Sequence, residues 1–405
     1  MPKVFSVGDA NIDLFSFTES GPVYGEEHKI KKFDCALGGN AANFAAAIAG
    51  LGQKAHLVSV QGTGPFSGFI KNEIERRGIK PLMEKSVAQS GVSNIFVSEC
   101  GERAILSDKG CLAELDCRAV AKKIGPMLGN GDIVFFGGYF HLTGMRNGFE
   151  SLLRAIRKKG AKVFFDACYD EHEKWNVKKF IRHTDVFFLN LIELEKITGI
   201  KNSKRAIKRL FEMGANRIVL KMGGEGAMYS CGAKTVKMPA VECTPINATG
   251  AGDFFNAGYA YGFLKGFSPR NCLLCGNFAA AKRISDREYA GPSKKEMDDF
   301  IAKNNLAEHE IFKSYGAMSK RASNIVARQL RKKPDSVISI AAGKTPLGLY
   351  RLLVRAFRKK QADFSGATFI ELDEYIGCGY RDSFAFSLRK NFISNLRILS
   401  RPRAF

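Results

Sequence analysis

The sequence predicts an α/β protein, with a doubly wound, mostly parallel sheet carrying a small β lid, followed by a second, partial α/β domain. Three observations predict it. Ile133 to Phe136, Lys162 to Phe165, Val186 to Leu189 and Ile218 to Lys221 read as buried strands alternating with helical periodicity, as in Gly148 to Lys159 and Lys201 to Met213. That alternation belongs to a parallel sheet covered on both faces. Two early stretches, Phe15 to Phe33 and Gly91 to Leu106, break the rhythm and look like alternating strands with no helix between them. At 405 residues the chain also exceeds the roughly 250–300 at which a single core stops growing, so two domains are expected.

In chain order, Val4-Phe5-Ser6-Val7-Gly8-Asp9-Ala10-Asn11-Ile12-Asp13 reads as a first strand running into a polar tip. Leu37-Gly38-Gly39-Asn40-Ala41-Ala42-Asn43 is a glycine turn leading into an Ala-rich helix, Phe44 to Leu51. Asp166 ends a strand on the side where open α/β sheets bind ligands, and suits either a ligand contact or the cap of the next turn. Leu189-Asn190-Leu191-Ile192-Glu193 sets an Asn and a Glu three apart after a strand. Val219-Leu220-Lys221-Met222-Gly223-Gly224-Glu225-Gly226 is a strand and a glycine turn.

The most informative stretch is Asn247-Ala248-Thr249-Gly250-Ala251-Gly252-Asp253, followed by the apolar run Phe254 to Leu264. Its glycines permit a tight turn that brings backbone close to an anion, at the positive end of a helix dipole. Asp253, in the first helical turn, is placed to take a proton from an attacking hydroxyl. Backbone donors there would neutralise charge developing on a transferred phosphoryl group. A lone glycine turn with a capping Asp would be ordinary, so the weight rests on the other motifs.

Together these five segments resemble, in the right order, the signatures of the ribokinase-like (PfkB) family of carbohydrate and nucleoside kinases. The resemblance covers about residues 1–302 and implies ATP-dependent phosphorylation of a sugar hydroxyl. It makes Asp253 the base and Gly250, Ala251, Gly252 and Asp253 the anion hole. It sets Asn11, Asp13, Gly39, Asn40 and Asn43 on the sugar, with Arg103 and Asp166 near it, and the two early strand pairs as a lid carrying Asn94, Phe96 and Arg103. Alternation alone makes those three ordinary strand residues. Asn190, Lys221, Gly223, Gly226, Thr249 and Asn277 fall to the nucleotide, and Asn190 and Glu193 to Mg²⁺. Asn247 stands where the family usually has Asp, a residue that helps form a monovalent-cation site in several relatives, so K⁺ is in doubt as a cofactor. Ser90 to Asn94 offers no Arg or Lys for an acceptor's phosphate and Arg103 is the exception, so a free sugar is favoured. A nucleoside kinase of the same fold and a non-catalytic sugar or phosphosugar sensor remain alternatives.

Composition limits the other classes. The net charge of +22 invites nucleic acid. Its Lys and Arg, however, lie in short clusters such as Lys201, Lys204, Arg205, Lys208 and Arg209, which read as solvated helix faces, and no nucleic-acid motif accompanies them. No apolar run reaches the roughly 18 residues of a membrane span. Met1-Pro2-Lys3-Val4 enters strand pattern without a basic-then-apolar leader, so a cytoplasmic protein with reduced thiols is expected. Cys272-Leu273-Leu274-Cys275 reads as a packed helix face in preference to a metal or redox pair. A small-molecule partner is implied, and a homodimer is left open.

Residues 303–310 read as a linker, and beyond them the chain changes character. A helix is expected from Ile311 to Arg331, then a strand, Ser336 to Ala341, feeding Ala342-Gly343-Lys344-Thr345-Pro346-Leu347-Gly348-Leu349-Tyr350. That strand, glycine turn and helix start form another phosphate-cradle layout at Gly343, Lys344 and Thr345. With Phe369-Ile370-Glu371-Leu372-Asp373-Glu374-Tyr375 and Asp382-Ser383-Phe384, residues 311–405 resemble the start of the glucosamine-6-phosphate deaminase and 6-phosphogluconolactonase (NagB-like) superfamily. The resemblance makes Asp373 the proton-transferring acid/base, but the segment bearing that family's ring-opening His is absent. The tail is therefore expected to be inactive by itself.

Overall fold

The computed structural model describes residues 2–99, 103–169, 174–232, 234–286, 290–304, 306, 312, 314–371 and 379–396. The chain divides into two compact units, Met1–His309 and Glu310–Phe405. Strands of the first unit are β1 (Val4–Gly8), β2 (Asn11–Thr18), β3 (Lys32–Gly38), β4 (Ala55–Val58), β5 (Val60–Thr63), β6 (Lys80–Pro81), β7 (Glu84–Gln89), β8 (Val92–Ser98), β9 (Arg103–Asp108), β10 (Ile133–Gly137), β11 (Lys162–Asp166), β12 (Val186–Asn190), β13 (Ile218–Lys221), β14 (Ala227–Ser230) and β15 (Thr235–Met238). Nine of them form the central sheet in the order β15-β14-β13-β12-β11-β10-β1-β4-β6. It is parallel from β13 to β6 and antiparallel at β14 and β15.

Because successive strand residues face opposite sides, one run feeds two cores. Val134, Phe136, Val163, Phe165, Phe187 and Leu189 pack into one, while Ile133, Phe135, Phe164, Val186 and Phe188 pack into the other. This is why these segments are apolar throughout.

The early stretches form a separate four-stranded sheet in the order β3-β2-β8-β9. Only the ends of Phe15 to Phe33 are strand, and residues 19–31 connect β2 to β3 outside any strand. Strand β9 is exposed along its whole length. Expected helices appear slightly trimmed, at Phe149–Lys158 and Ser203–Glu212. Cys272 and Cys275 are buried free thiols on the helix Pro269–Ile284, where burial raises both above the usual thiol range.

The second unit contains the helix Tyr315–Lys332, β16 (Val337–Ile340), the helix Leu347–Arg358, β17 (Thr368–Glu371) and the helix Phe384–Asn391. Strands β16 and β17 pair in parallel across the intervening helix, a βαβ unit. Its core includes Leu330, Ile340, Tyr350, Leu353, Phe364 and Phe392. Asp373 lies outside the described residues.

Candidate active site

Strand order reverses between β10 and β1, the place where ligands bind in open α/β sheets. Glycines make the close approach there. Gly8 pairs with Gly137 in register, and a Cβ on Gly8 would sit 2.0 Å from the Gly137 carbonyl oxygen. Asp9, the next residue, accepts the Ala41 N–H (3.0 Å), lies 3.8 Å from His141 and so ties the first strand to the helix Asn40–Gly50. Burial pushes the Asp9 carboxyl up, but His141 and the N–H groups of Ala41 and Asn40 hold it below its ordinary value. No periodicity marks Asp9 or His141 as site residues in the sequence; the glycines beside them are the only local signal.

Above this point lies a cavity of about 630 Å³ lined by core and lid residues. The expected site residues brought together there are Asn11, Asp13, Gly39, Asn40, Asn43, Arg103, Glu193, Thr249, Gly250 and Asp253, and His141, Lys109, Cys168 and Tyr169 join them. Arg103 reaches from lid strand β9 to donate to the Thr249 hydroxyl (3.1 Å). Asn11 Nδ2 donates to Asp13 (2.8 Å) and Ser93 (3.1 Å), and burial pushes the Asp13 carboxyl up to about 7. Cys168 holds a left-handed backbone, φ 52°, while its sulfur accepts the Gly138 N–H.

Asp253 is 5% exposed and sits in the first turn of the helix Ala251–Leu264. Asn40 and Asn43 each donate an amide N–H to it, at 2.9 and 3.0 Å. The structure thus commits one donor of each Asn to the candidate base, so a sugar could use only what remains of the two amides. Burial raises the Asp253 carboxyl to about 7, with Asp166 adding to the rise and the Asn donors and Lys221 opposing it.

The helix begins at Gly250, φ 79°, with no side-chain cap. Ala251 and Asp253 N–H groups bond back to Ala248 and Gly250 carbonyls. The N–H groups of Gly250 and Gly252 have no partner among the described residues, so these two of the four expected positions have a donor left for an anion. A Cβ on Gly252 would come 3.3 Å from Lys221 Nζ. An anion over this turn would therefore meet two N–H groups with an ammonium close by.

Several expected ligands also make internal bonds. Asp166, 1% exposed, does not line the cavity; it accepts from Lys221 Nζ (2.5 Å), Asn256 and the Cys168 N–H (3.2 Å). Burial pulls the Lys221 ammonium down, yet Asp166 and Glu193 hold it above its usual value. Asn277 Nδ2 donates to the Pro239 carbonyl (2.6 Å). Gly226, φ 91°, closes the β13–β14 turn, where a Cβ would meet the Met238 oxygen at 2.1 Å, whereas Gly223 faces open space. Asn190 and Glu193 form a capping box at the start of the helix Leu191–Thr198. Each Glu193 oxygen accepts one Asn190 N–H (2.8 and 2.9 Å), and Asn190 Oδ1 accepts from the Glu193 N–H (2.8 Å). Burial raises the Glu193 carboxyl, with Lys221 opposing. Glu193 still borders the cavity, while among the described residues no three His, Cys, Asp or Glu are grouped to hold a metal ion. A Mg²⁺ here would rely on water and phosphate oxygens, which suits that ion.

In the second unit, Gly343 has φ 88° and precedes the helix Leu347–Arg358. The Tyr315 hydroxyl accepts the Gly348 N–H (2.7 Å) and donates to the Thr345 carbonyl (2.9 Å), so one donor of that helix start is already used. No described helix is long and apolar enough to cross a membrane.

This fold is the ribokinase-like α/β architecture: a ribokinase structure from Thermotoga maritima superposes with a TM-score of 0.63 at 21% identity, covering 75% of this chain and all of that one. The pfkB family carbohydrate kinase model matches residues 1–296. A sugar kinase of Archaeoglobus fulgidus is 33% identical over 224 residues, 52% of this chain and 84% of that protein. The chain belongs to the pfkB family of carbohydrate kinases, and is by that membership an ATP-dependent sugar kinase. A further stretch of 87 residues is 37% identical to a Thermoanaerobacter glucosamine-6-phosphate deaminase, covering 21% of this chain and 34% of that protein.

Proposed function

We propose that the chain transfers the γ-phosphoryl group of ATP to a hydroxyl of a free sugar, with Asp253 as general base. The observation that carries this is Asp253 itself: a carboxylate held by two Asn donors, raised to about 7 by burial, beside two unpartnered glycine N–H groups at a helix start. Asp253 takes the hydroxyl proton, Asn11 and Asp13 orient the acceptor, and the Gly250 and Gly252 N–H groups meet the charge that grows on the transferred group. Glu193 would hold Mg²⁺ through water, and the ion would supply positive charge to offset the phosphates. Lid residue Arg103, resting on Thr249, closes the cavity and helps exclude water.

The cations bordering the cavity, Arg103 and Lys109, are offset by Asp9, Asp13 and Asp108, which supports an uncharged acceptor over a sugar phosphate. Ile95, Ile105 and Tyr169 also line it and supply the apolar wall that a nucleoside base would need. Coupled ADP-release assays across hexoses, ketoses, amino sugars and nucleosides decide between the two, and turnover of none would leave a sugar-binding protein.

With the base near pH 7 in its titration, kcat/KM should rise between pH 6 and 8 and level off once Asp253 is ionised. A flat profile would place the proton elsewhere. Glu193→Gln removes the charge and leaves one oxygen to accept from Asn190 where the carboxylate has two, so it should raise the Mg²⁺ concentration for half-maximal activity with only a small loss of thermal stability. An unchanged Mg²⁺ titration would leave Glu193 as a helix cap alone.

For the second unit we propose weak phosphosugar binding at Gly343 to Thr345 and no catalysis. The likeness to a deaminase spans about a third of that protein, and the residues after Asp373 include Glu374 and Asp382 but no His. The 405-residue chain should release no ammonia from glucosamine 6-phosphate, and a chain ending near Lys303 should retain sugar phosphorylation. Ammonia release, or loss of turnover on truncation, would show the tail to be a working part.

A further inference from the structure

A second buried cation stands beside the anion-binding turn, and the reaction outlined above does not use it. Arg283, 4% exposed, lies in the last turn of the helix Pro269–Ile284. That helix runs antiparallel to Ala251–Leu264: Gly262 lies against Cys272, Gly258 against Cys275 and Gly250 against Arg283. A Cβ on Gly250 would be 3.4 Å from Arg283 Nε and 3.5 Å from Nη2. The guanidinium also sits over the Phe254 ring, 5.6 Å from its centroid. Burial raises the nearby Asp13 carboxyl, and the charge of Arg283 opposes that rise, so its field reaches the acceptor side of the cavity. Arg283 is not among the cavity-lining residues; it acts from behind the wall.

Asn247 completes the picture. It is buried, its oxygen accepts the Thr249 N–H (2.8 Å), and its amide nitrogen has no partner among the described residues. A buried N–H donor in place of a carboxylate, on a residue whose backbone N–H bonds the carbonyl of Ile284, the neighbour of Arg283 in the chain, does not fit the monovalent cation that the family resemblance implies.

Resting on the kinase reading, we propose that Arg283 is a positioning residue that supplies the fixed positive charge behind the Gly250 turn, in place of a soluble monovalent cation. The charge biases the turn toward the anionic group carried by the Gly250 and Gly252 N–H donors, so it acts through them and not by contact.

The test uses the full chain. Wild-type turnover should be the same in potassium, sodium and choline chloride. Arg283→Met, which keeps a stem over Phe254, should lower kcat by about tenfold or more, less than the loss of a direct anion-hole donor. Arg283→Lys should recover part of the loss, and added guanidinium should partly rescue the Met variant, which a packing defect would not allow. Calorimetric titration with ATP reads the charge without turnover: Arg283→Met should bind several-fold more weakly and Arg283→Lys near wild type. A potassium requirement in the wild type, or a Met variant with unaltered kcat and ATP affinity, overturns the proposal. Failure of every sugar and nucleoside to be phosphorylated would instead count against the kinase reading, and the ATP titration would still decide the role of Arg283.

Discussion

Asp253→Asn is expected to lower kcat by at least about 100-fold while nucleotide affinity changes little, because general base catalysis is typically worth 10²–10⁴. The substitution is nearly isosteric. Asn40 and Asn43 both donate to the native carboxylate, so the new amide can accept from only one of them and must turn its own N–H₂ toward the other. That misfit costs local order, but the same change removes a charge that burial already disfavours. Folding should therefore be retained, and a denaturation curve close to wild type alongside collapsed turnover is the expected pair of results. The residual activity should also lose the rise near pH 7. Turnover within a few-fold of wild type would remove Asp253 from the chemistry and leave it as a helix-start carboxylate.

The largest stability effect is expected at Lys221. Its ammonium and Asp166 form a buried ion pair at 2.5 Å, with side-chain exposures of 15% and 2%. Lys221→Met leaves the Asp166 carboxylate buried with, among the described residues, Asn256 and the Cys168 N–H as donors. Breaking one partner of such a pair typically costs about 3–5 kcal/mol. Adding Asp166→Asn removes the stranded charge, so the double variant should be more stable than Lys221→Met alone, as read by urea unfolding monitored at equal protein concentration. Additive losses would show that the pair is not coupled. Activity should fall in both variants, because the ammonium also lies below Gly252 at the anion-binding turn.

Much of this protein was legible in the order of its residues, for local reasons. The four apolar runs became β10 to β13 because a parallel strand buried on both faces has to be apolar at every position, a property that composition alone displays. The glycine turn at Gly250 and the carboxylate three residues on are likewise local, since positive φ and a free helix start are set by neighbouring residues. The capping box at Asn190 and Glu193 is local too, yet sequence alone could not separate a helix cap from a metal motif, because the same two side chains at the same spacing serve both.

What only the tertiary structure decided is who meets whom across the chain. Asn40 and Asp253 are 213 residues apart, and Lys221 and Asp166 are 55 apart. Asp166, at a strand end, suits a ligand contact or a turn cap by sequence, and its bonds to Lys221 and Asn256 come only with the packing. Asn277 falls to the nucleotide by resemblance, and the packing also has it tie a helix to the end of β15. Arg283 carries no motif at all, and becomes a neighbour of Gly250 only because two glycine-bearing helices pack closely antiparallel. Sequence patterns report each residue's own burial and backbone conformation. The field at Asp253 is the sum of charges brought together by the fold, and no local pattern contains that sum.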